Sequence, residues 1–349
     1  MKNKFISLLL LVIIGQFPHV LNGQGQIRGA NLMEFQLGNL PQLEPKSQSS
    51  LYNQLNISYR NNPIGLNIRA EQYYPSFGEN IRYTRLSQFK LQYNTSQLDM
   101  DVGHLYTTLG RGLLLRTYEI PGSVWETRGF RSRYGFYKDL LGASVKFKFN
   151  NFEVKAVRGE ILDVALPPTI EDNQSRRPDL IEGIETSYQF NNHQVGLIFM
   201  RNKSTGNEDF NHFLSAYFKS AFLQHFSLYT EMAKALGADL PLQSFSDDAS
   251  YAGYAGLSYS ILNFGMSIEV KDYHNFFLGT GINDPPALVK EHPYRLLNRS
   301  THIPVLTDES GYQAELYYTL KSGNVITLNT SLSKNVISES IRPVFREYF

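Results

Sequence analysis

Apolar and polar residues alternate along most of this chain, and a period of two restricts it to β-structure. Over residues 51–60 one face carries Leu55, Ile57 and Tyr59, and the other carries Gln54, Asn56, Ser58 and Arg60. Asn61-Asn62-Pro63 has the chemistry of a tight turn. After it, Ile64, Leu66, Ile68 and Ala70 alternate with Asn67, Arg69 and Glu71. The pattern returns around Phe89, Val102, Val145, Val154, Ile184, Leu197, Leu228, Leu257, Ile268, Tyr318 and Leu328. It predicts about fifteen strands of roughly nine to eleven residues, the length a tilted membrane strand needs. No helix is predicted after residue 23.

Periodicity alone does not separate a soluble β-sandwich, with its apolar face as core, from a wide barrel whose apolar face meets lipid. The connections do. Short ones, four of the six carrying Asn (61–63, 94–97, 150–151, 191–193, 260–262, 321–323), alternate with long ones (38–50, 74–83, 105–133, 160–179, 202–211, 236–250, 273–310). Short turns on one side and long loops on the other are the layout of outer-membrane barrels, and a sandwich has no reason to sort its loops in this way. The reading is an all-β chain forming a large antiparallel transmembrane β-barrel of outer-membrane type.

Several other features agree. Residues 1–4 include two lysines, an apolar run covers 5–14, and small and polar residues follow to Gly23. That is a signal peptide over 1–23, because the apolar run is far short of the ~18 residues of a spanning helix. Residues 24–349 are then the barrel. There is no cysteine, so disulfides do not stabilise the fold. With 22 Tyr and 23 Phe the chain can supply interfacial aromatic girdles. A net charge of +1, spread evenly, gives no reason to expect a nucleic-acid partner. At the other end, Pro343 interrupts 342–349, and the hairpin arm 324–333 is left without a following partner. Single-chain barrels of bacteria have even strand counts, so the natural protein is expected to continue past Phe349.

Chemistry is concentrated in the inward-folding segment 105–133. Gly110-Arg111-Gly112 allows positive-φ backbone, and Arg111, Arg116, Arg128, Arg131 and Arg133 gather near Glu119 and Glu126. The segment lacks the Lys-Ser/Thr of a phosphate loop. It reads either as a constriction whose arginines grip anionic groups or as a structural plug of paired Arg and Glu. Strand charges expected to face the lumen with it include Arg69, Glu71, Lys155, Glu231, Glu269 and Lys271. Catalysis is not expected. Ser300 and Asp308 flank His302, but no Gly-x-Ser-x-Gly elbow is present. No metal or cofactor is expected either: neither paired His nor Cys is available, and Glu171-Asp172 and Asp247-Asp248 lie in loops.

Gly110-x-Gly112-Leu113-x-Leu115-Arg116-x-Tyr118-Glu119 resembles the signature of a Bacteroidota outer-membrane β-barrel family catalogued as a domain of unknown function. The runs 228–231, 286–292 and 311–318 resemble it as well. The resemblance implies a fold and an outer-membrane location, and it carries over no catalytic residue. Three functions follow as expectations. The first is porin-like passage or binding of a small hydrophilic solute, with membrane lipid as the outer partner. The second is a surface-facing structural or adhesion barrel whose loop 273–310, stiffened by Pro285, Pro286 and Pro304, binds envelope polymers or partner proteins. The third is a soluble secreted β-sandwich. The sequence carries no sign of an oligomeric state.

Overall fold

The computed structural model describes residues 25–39, 47–74, 82–120, 126–127, 130–131, 136–161, 179–203, 209–236, 250–278, 308–335 and 343–348. Residues 1–23, expected as a signal peptide, and most of 273–310 lie outside the described residues. The chain divides into two compact units, Met1–Gly103 and His104–Phe349.

The first unit is a meander of β1 (Gln26–Asn39), β2 (Ser47–Asn61), β3 (Ile64–Tyr74), β4 (Tyr83–Asn94) and β5 (Leu98–Leu105). Each strand pairs antiparallel with the next. Six short strands follow in the second unit. They are β6 (Thr108–Leu109), β7 (Leu115–Arg116), β8 (Tyr118–Ile120), β9 (Glu126–Thr127), β10 (Phe130–Arg131) and β11 (Phe136–Lys138).

The second unit continues with β12 (Leu140–Phe149), β13 (Phe152–Ile161), β14 (Asp179–Phe190), β15 (His193–Lys203), β16 (Asn211–Phe222) and β17 (Phe226–Leu236). It ends with β18 (Tyr251–Ile261), β19 (Phe264–His274), β20 (Glu309–Thr319), β21 (Val325–Asn335) and β22 (Val344–Tyr348). These eleven form a second antiparallel meander in chain order. Sixteen long strands are therefore present among the described residues, one more than the alternation predicts. No ladder among the described residues joins β1 to β22.

Three of the sixteen, β1, β16 and β22, are strands that alternation hides. β1 pairs with β2 over its whole length although Gly29, Ala30 and Asn31 interrupt its pattern. In β16, Phe213 and Tyr217 face the same way as Ser215 and are buried, while Leu214 and Phe218 sit on the opposite face, so both faces are apolar. The arm 324–333 does find a partner. Val344–Tyr348 pairs with it at Thr330–Lys334, and Pro343 sits just before that strand. The turns fall where Asn predicts them: Asn150 and Asn191 adopt φ of 50° between β12–β13 and β14–β15. Leu223 and Gln224 do the same between β16 and β17, without a turn residue to announce them.

In both units one face of the strands is apolar and exposed. It carries Leu55 and Ile57 in the first, and Phe147, Val154, Ile184, Leu197, Phe199, Met232, Ile268 and Leu328 in the second. A water-soluble surface does not carry an apolar area this extensive, whereas a lipid-facing one must.

The opposite, inner face of the second unit has two tiers. Near the long connections Val157, Ile161, Ile181, Ile198, Met200 and Phe213 make a dry apolar layer. Toward the short turns Tyr217, Tyr229, Glu231, Tyr254, Glu269 and Lys271 make a polar one. The residues after β19 turn inward too, with Phe276 against Phe213 at 6.0 Å between ring centroids and Leu278 buried.

A lipid-facing outer surface makes a prediction. Leu197, 58% exposed near the middle of β15, replaced by Arg should lower stability by about 2–4 kcal/mol if it lies at midplane depth. Guanidinium titration of the protein in liposomes measures this, and unchanged stability would contradict a lipid-facing surface.

Candidate functional site

The site grows from a turn. Gly110 (φ +54°) and Gly112 (φ +100°) bend the chain after Leu109, and the Gly112 amide donates to the Leu109 carbonyl at 2.9 Å. Thr108 then pairs with Arg116 and Leu109 with Leu115, giving a small β6–β7 hairpin. Its base is closed by Thr117, whose hydroxyl accepts from the Thr107 amide (2.6 Å) and donates to the Thr107 carbonyl (2.9 Å).

Leu109, Leu113, Leu114 and Leu115 are fully buried in the apolar tier of the inner face. Burial of each such side chain contributes roughly 1.5–3 kcal/mol relative to exposure. Leu109 sits over Gly183, where a Cβ would lie 2.7 Å from its Cδ1, so only glycine leaves room for it.

The tip of the hairpin is held by charge. The Arg111 amide donates to Glu231 Oε2 at 2.7 Å, and the Gly110 amide lies 3.4 Å from Glu185 Oε2. Lys155 Nζ donates to the Thr108 carbonyl at 2.8 Å. Glu231 is 1% exposed and also accepts from the Tyr229 hydroxyl (2.6 Å) and the Ser215 hydroxyl (3.1 Å). Glu185 accepts from the Tyr217 hydroxyl at 2.8 Å. A buried carboxylate is tolerated only when hydrogen-bonded in this way. A Cβ on Gly110 would lie 2.7 Å from Glu231, so close approach and positive φ both require glycine there.

The Arg111 side chain is half exposed. Its guanidinium lies 5.6 Å from the Tyr229 ring centroid and 5.2 Å from that of Tyr254, with Glu269 at 3.9 Å. The arrangement offers water a cation on an aromatic platform beside one carboxylate. Such a group can hydrogen-bond a solute, and the weak, screened pairing with Glu269 leaves it available.

The structure thus brings Arg111, Glu231 and Glu269 together, but it gives Glu231 an anchoring task instead of a solvent-facing one. The remaining predicted residues lie elsewhere. Arg116 packs on Tyr118 at 5.0 Å, and Glu119 is half-buried on β8. Arg131 belongs to β10, and Arg128 lies outside the described residues. Lys271 forms a fully buried ion pair with Glu309, which also accepts from Ser333 at 3.0 Å. In the first unit, Glu71 accepts from the Tyr52 hydroxyl at 3.2 Å and lies 3.8 Å from Arg85, while Arg69 donates to Asn56 at 2.7 Å.

Asp308 meets His274 at 3.3 Å, and His302 and Ser300 are outside the described residues. Among the described residues no group of His, Asp and Glu is placed to hold a metal.

Sequence reading missed Glu185, Ser215, Tyr217, Tyr229, Tyr254 and Glu309. Glu185 had a signal, since it lies between Ile184 and Thr186 on the polar phase of its strand. The tyrosines had none, because an inward Tyr and a lipid-facing Tyr look alike in one dimension.

Replacing Glu231 by Ala leaves the Arg111 amide and two hydroxyls without a partner, each costing about 1–3 kcal/mol if water does not enter. The expected outcome is a loss of several kcal/mol in chemical denaturation and faster protease cleavage near residue 111. Equal stability would show that the tip is not anchored there.

A family model described as a family of unknown function (DUF6029) matches residues 1–340. No curated protein sequence matches the chain. Among solved structures, the outer membrane protein opdK from Pseudomonas aeruginosa is similar, at TM-score 0.51 and 11% identity over 93% of this chain and 86% of that one. OccK9 (OpdG) of the same organism gives TM-score 0.51 and 11% identity over 94% and 88%. OccK5 (OpdH) gives 0.50 and 12% over 93% and 84%. At these identities the likeness is one of fold, and the fold is that of the outer-membrane barrels.

Proposed function

The chain belongs to the family of unknown function DUF6029, and from that premise we propose that it is an outer-membrane β-barrel that passes or binds a small hydrophilic solute at a constriction made by Arg111. The carrying observation is the hairpin 108–116, folded onto the inner face and anchored there by Glu231. A segment held so firmly narrows whatever route runs beside it, and it presents one half-exposed guanidinium to that route. The apolar outer faces are what membrane lipid would contact. The opdK protein, an outer membrane protein with the same fold, supports the location.

The dry leucine tier argues against a wide, freely diffusing pore, since the inner face near the long connections is apolar and filled. Passage past Arg111 is therefore selective by size and charge.

Refolded full-length protein in planar bilayers tests the proposal. Wild type should give small unitary currents or a solute-dependent block. Arg111→Glu should move the reversal potential in a salt gradient toward cation preference. A folded protein that neither conducts nor binds any hydrophilic solute would end the reading, and recovery from the periplasm in cell fractionation would end the location.

A further inference from the structure

Within the first unit, two cross-strand rows on the polar face carry three cations and one acid, Asp101. Residues directly opposite in antiparallel strands share a face. One row runs Arg28, Ser58, Asn67, Lys90 across β1–β4, and the next carries Gln26, Arg60, Gly65, Gln92 and Asp101 across β1–β5. Leu55 and Ile57 mark the opposite, apolar face. None of Arg28, Arg60 and Lys90 forms an ion pair among the described residues. Asp101 stands opposite Gln92 at the β5 end of the second row and accepts from its amide at 3.1 Å, with Gly65 and Gln92 between it and Arg60. Like charges side by side on a sheet repel one another unless an anion sits between them.

Space for one is present. A pocket of about 270 Å³ has Arg28, Arg60, Ser58, Asn67 and Gln92 in its lining, together with Tyr59 and the bare backbone of Gly65. That is close to the lower limit of ligand pockets, roughly 300 Å³. Its remaining walls include amides and a hydroxyl, groups that both donate and accept, and Asn67 already donates to Gln92 at 3.0 Å. Hydroxyl groups of a ligand are the natural partners of such walls. Guanidinium groups match carboxylate or phosphate oxygens two at a time.

We propose that this pocket binds a hydroxylated anion of monosaccharide size, a sugar acid or a sugar phosphate, with Arg28 and Arg60 on its charge and Ser58, Asn67 and Gln92 on its hydroxyls. The proposal rests on the reading above that solute reaches the inner face, and it names the solute's class.

Calorimetric titration of the full-length protein in detergent tests it with gluconate, glucose 6-phosphate and sorbitol. Gluconate or glucose 6-phosphate should bind, and whichever does identifies the anionic group. Sorbitol should bind at least tenfold more weakly. Arg28→Gln combined with Arg60→Gln should weaken the anion at least tenfold, while Arg158→Gln in the second unit leaves it unchanged. If the double variant does not fold, raising ionic strength on the wild type should weaken the anions and spare sorbitol. Sorbitol binding as tightly as the anions, no binding of any probe, or full affinity in a folded double variant would overturn the assignment. Binding in detergent requires no conduction, so a protein that binds but never conducts removes the passage reading and leaves this one standing.

Discussion

Backbone hydrogen bonding governs this molecule before any side chain does. In a medium without water each N–H and C=O must find a partner within the protein, and an antiparallel ladder satisfies a whole strand at once. The long meanders of both units are that solution, with every long strand of a meander pairing with the next in chain order. Once the ladder is set, side chains have only two faces to occupy. In each unit the outer face is mainly apolar and exposed, with Leu55 and Ile57 in the first and Ile184, Leu197 and Leu328 in the second. The inner face is left free to carry chemistry, and in the second unit it divides into a dry tier and a polar tier.

The hairpin 108–116 spans that division. Its leucines belong to the dry tier and its tip to the polar one, so hydrophobic burial and carboxylate anchoring act on the same ten or so residues. Burial alone is non-directional and would tolerate sliding. Glu231, with three donors around it, and Gly110, with no room for a Cβ, fix the position of Arg111. An apparently exposed charge is thereby held to one place on the inner face, which a functional group in a constriction needs.

Legibility in the sequence followed one physical rule. Where one face is polar and the other apolar, alternation reveals the strand, as over 51–60 and 143–149. Where both faces are apolar, as in β16 with Phe213, Leu214, Tyr217 and Phe218, alternation vanishes although the strand is fully paired. A strand hidden by two apolar faces, as β16 is, thus marks a filled part of the interior. The run 113–115 is another instance. In sequence it is a short apolar stretch of no clear purpose, and in space it is the centre of the inner core. The arginines of 105–133 stood out by density, and among the described residues Arg111 is the one that joins carboxylates from the strands. Glu231 was picked as a lumen charge. It proves to be an anchor, because what matters is which donors the fold brings to it, and those come from β16, β17 and the hairpin.

Fold class, strand rhythm and most turn positions follow from the sequence by itself, because period-two patterning and Asn-rich turns are local properties that need no partner. Which residues meet across the strands is not local. Glu231 with Arg111, Leu109 over Gly183, and Arg28 beside Arg60 depend on register, and a shift of one residue would send every one of these side chains to the other face. Register is set by the whole ladder, so the candidate sites were decided by tertiary structure alone.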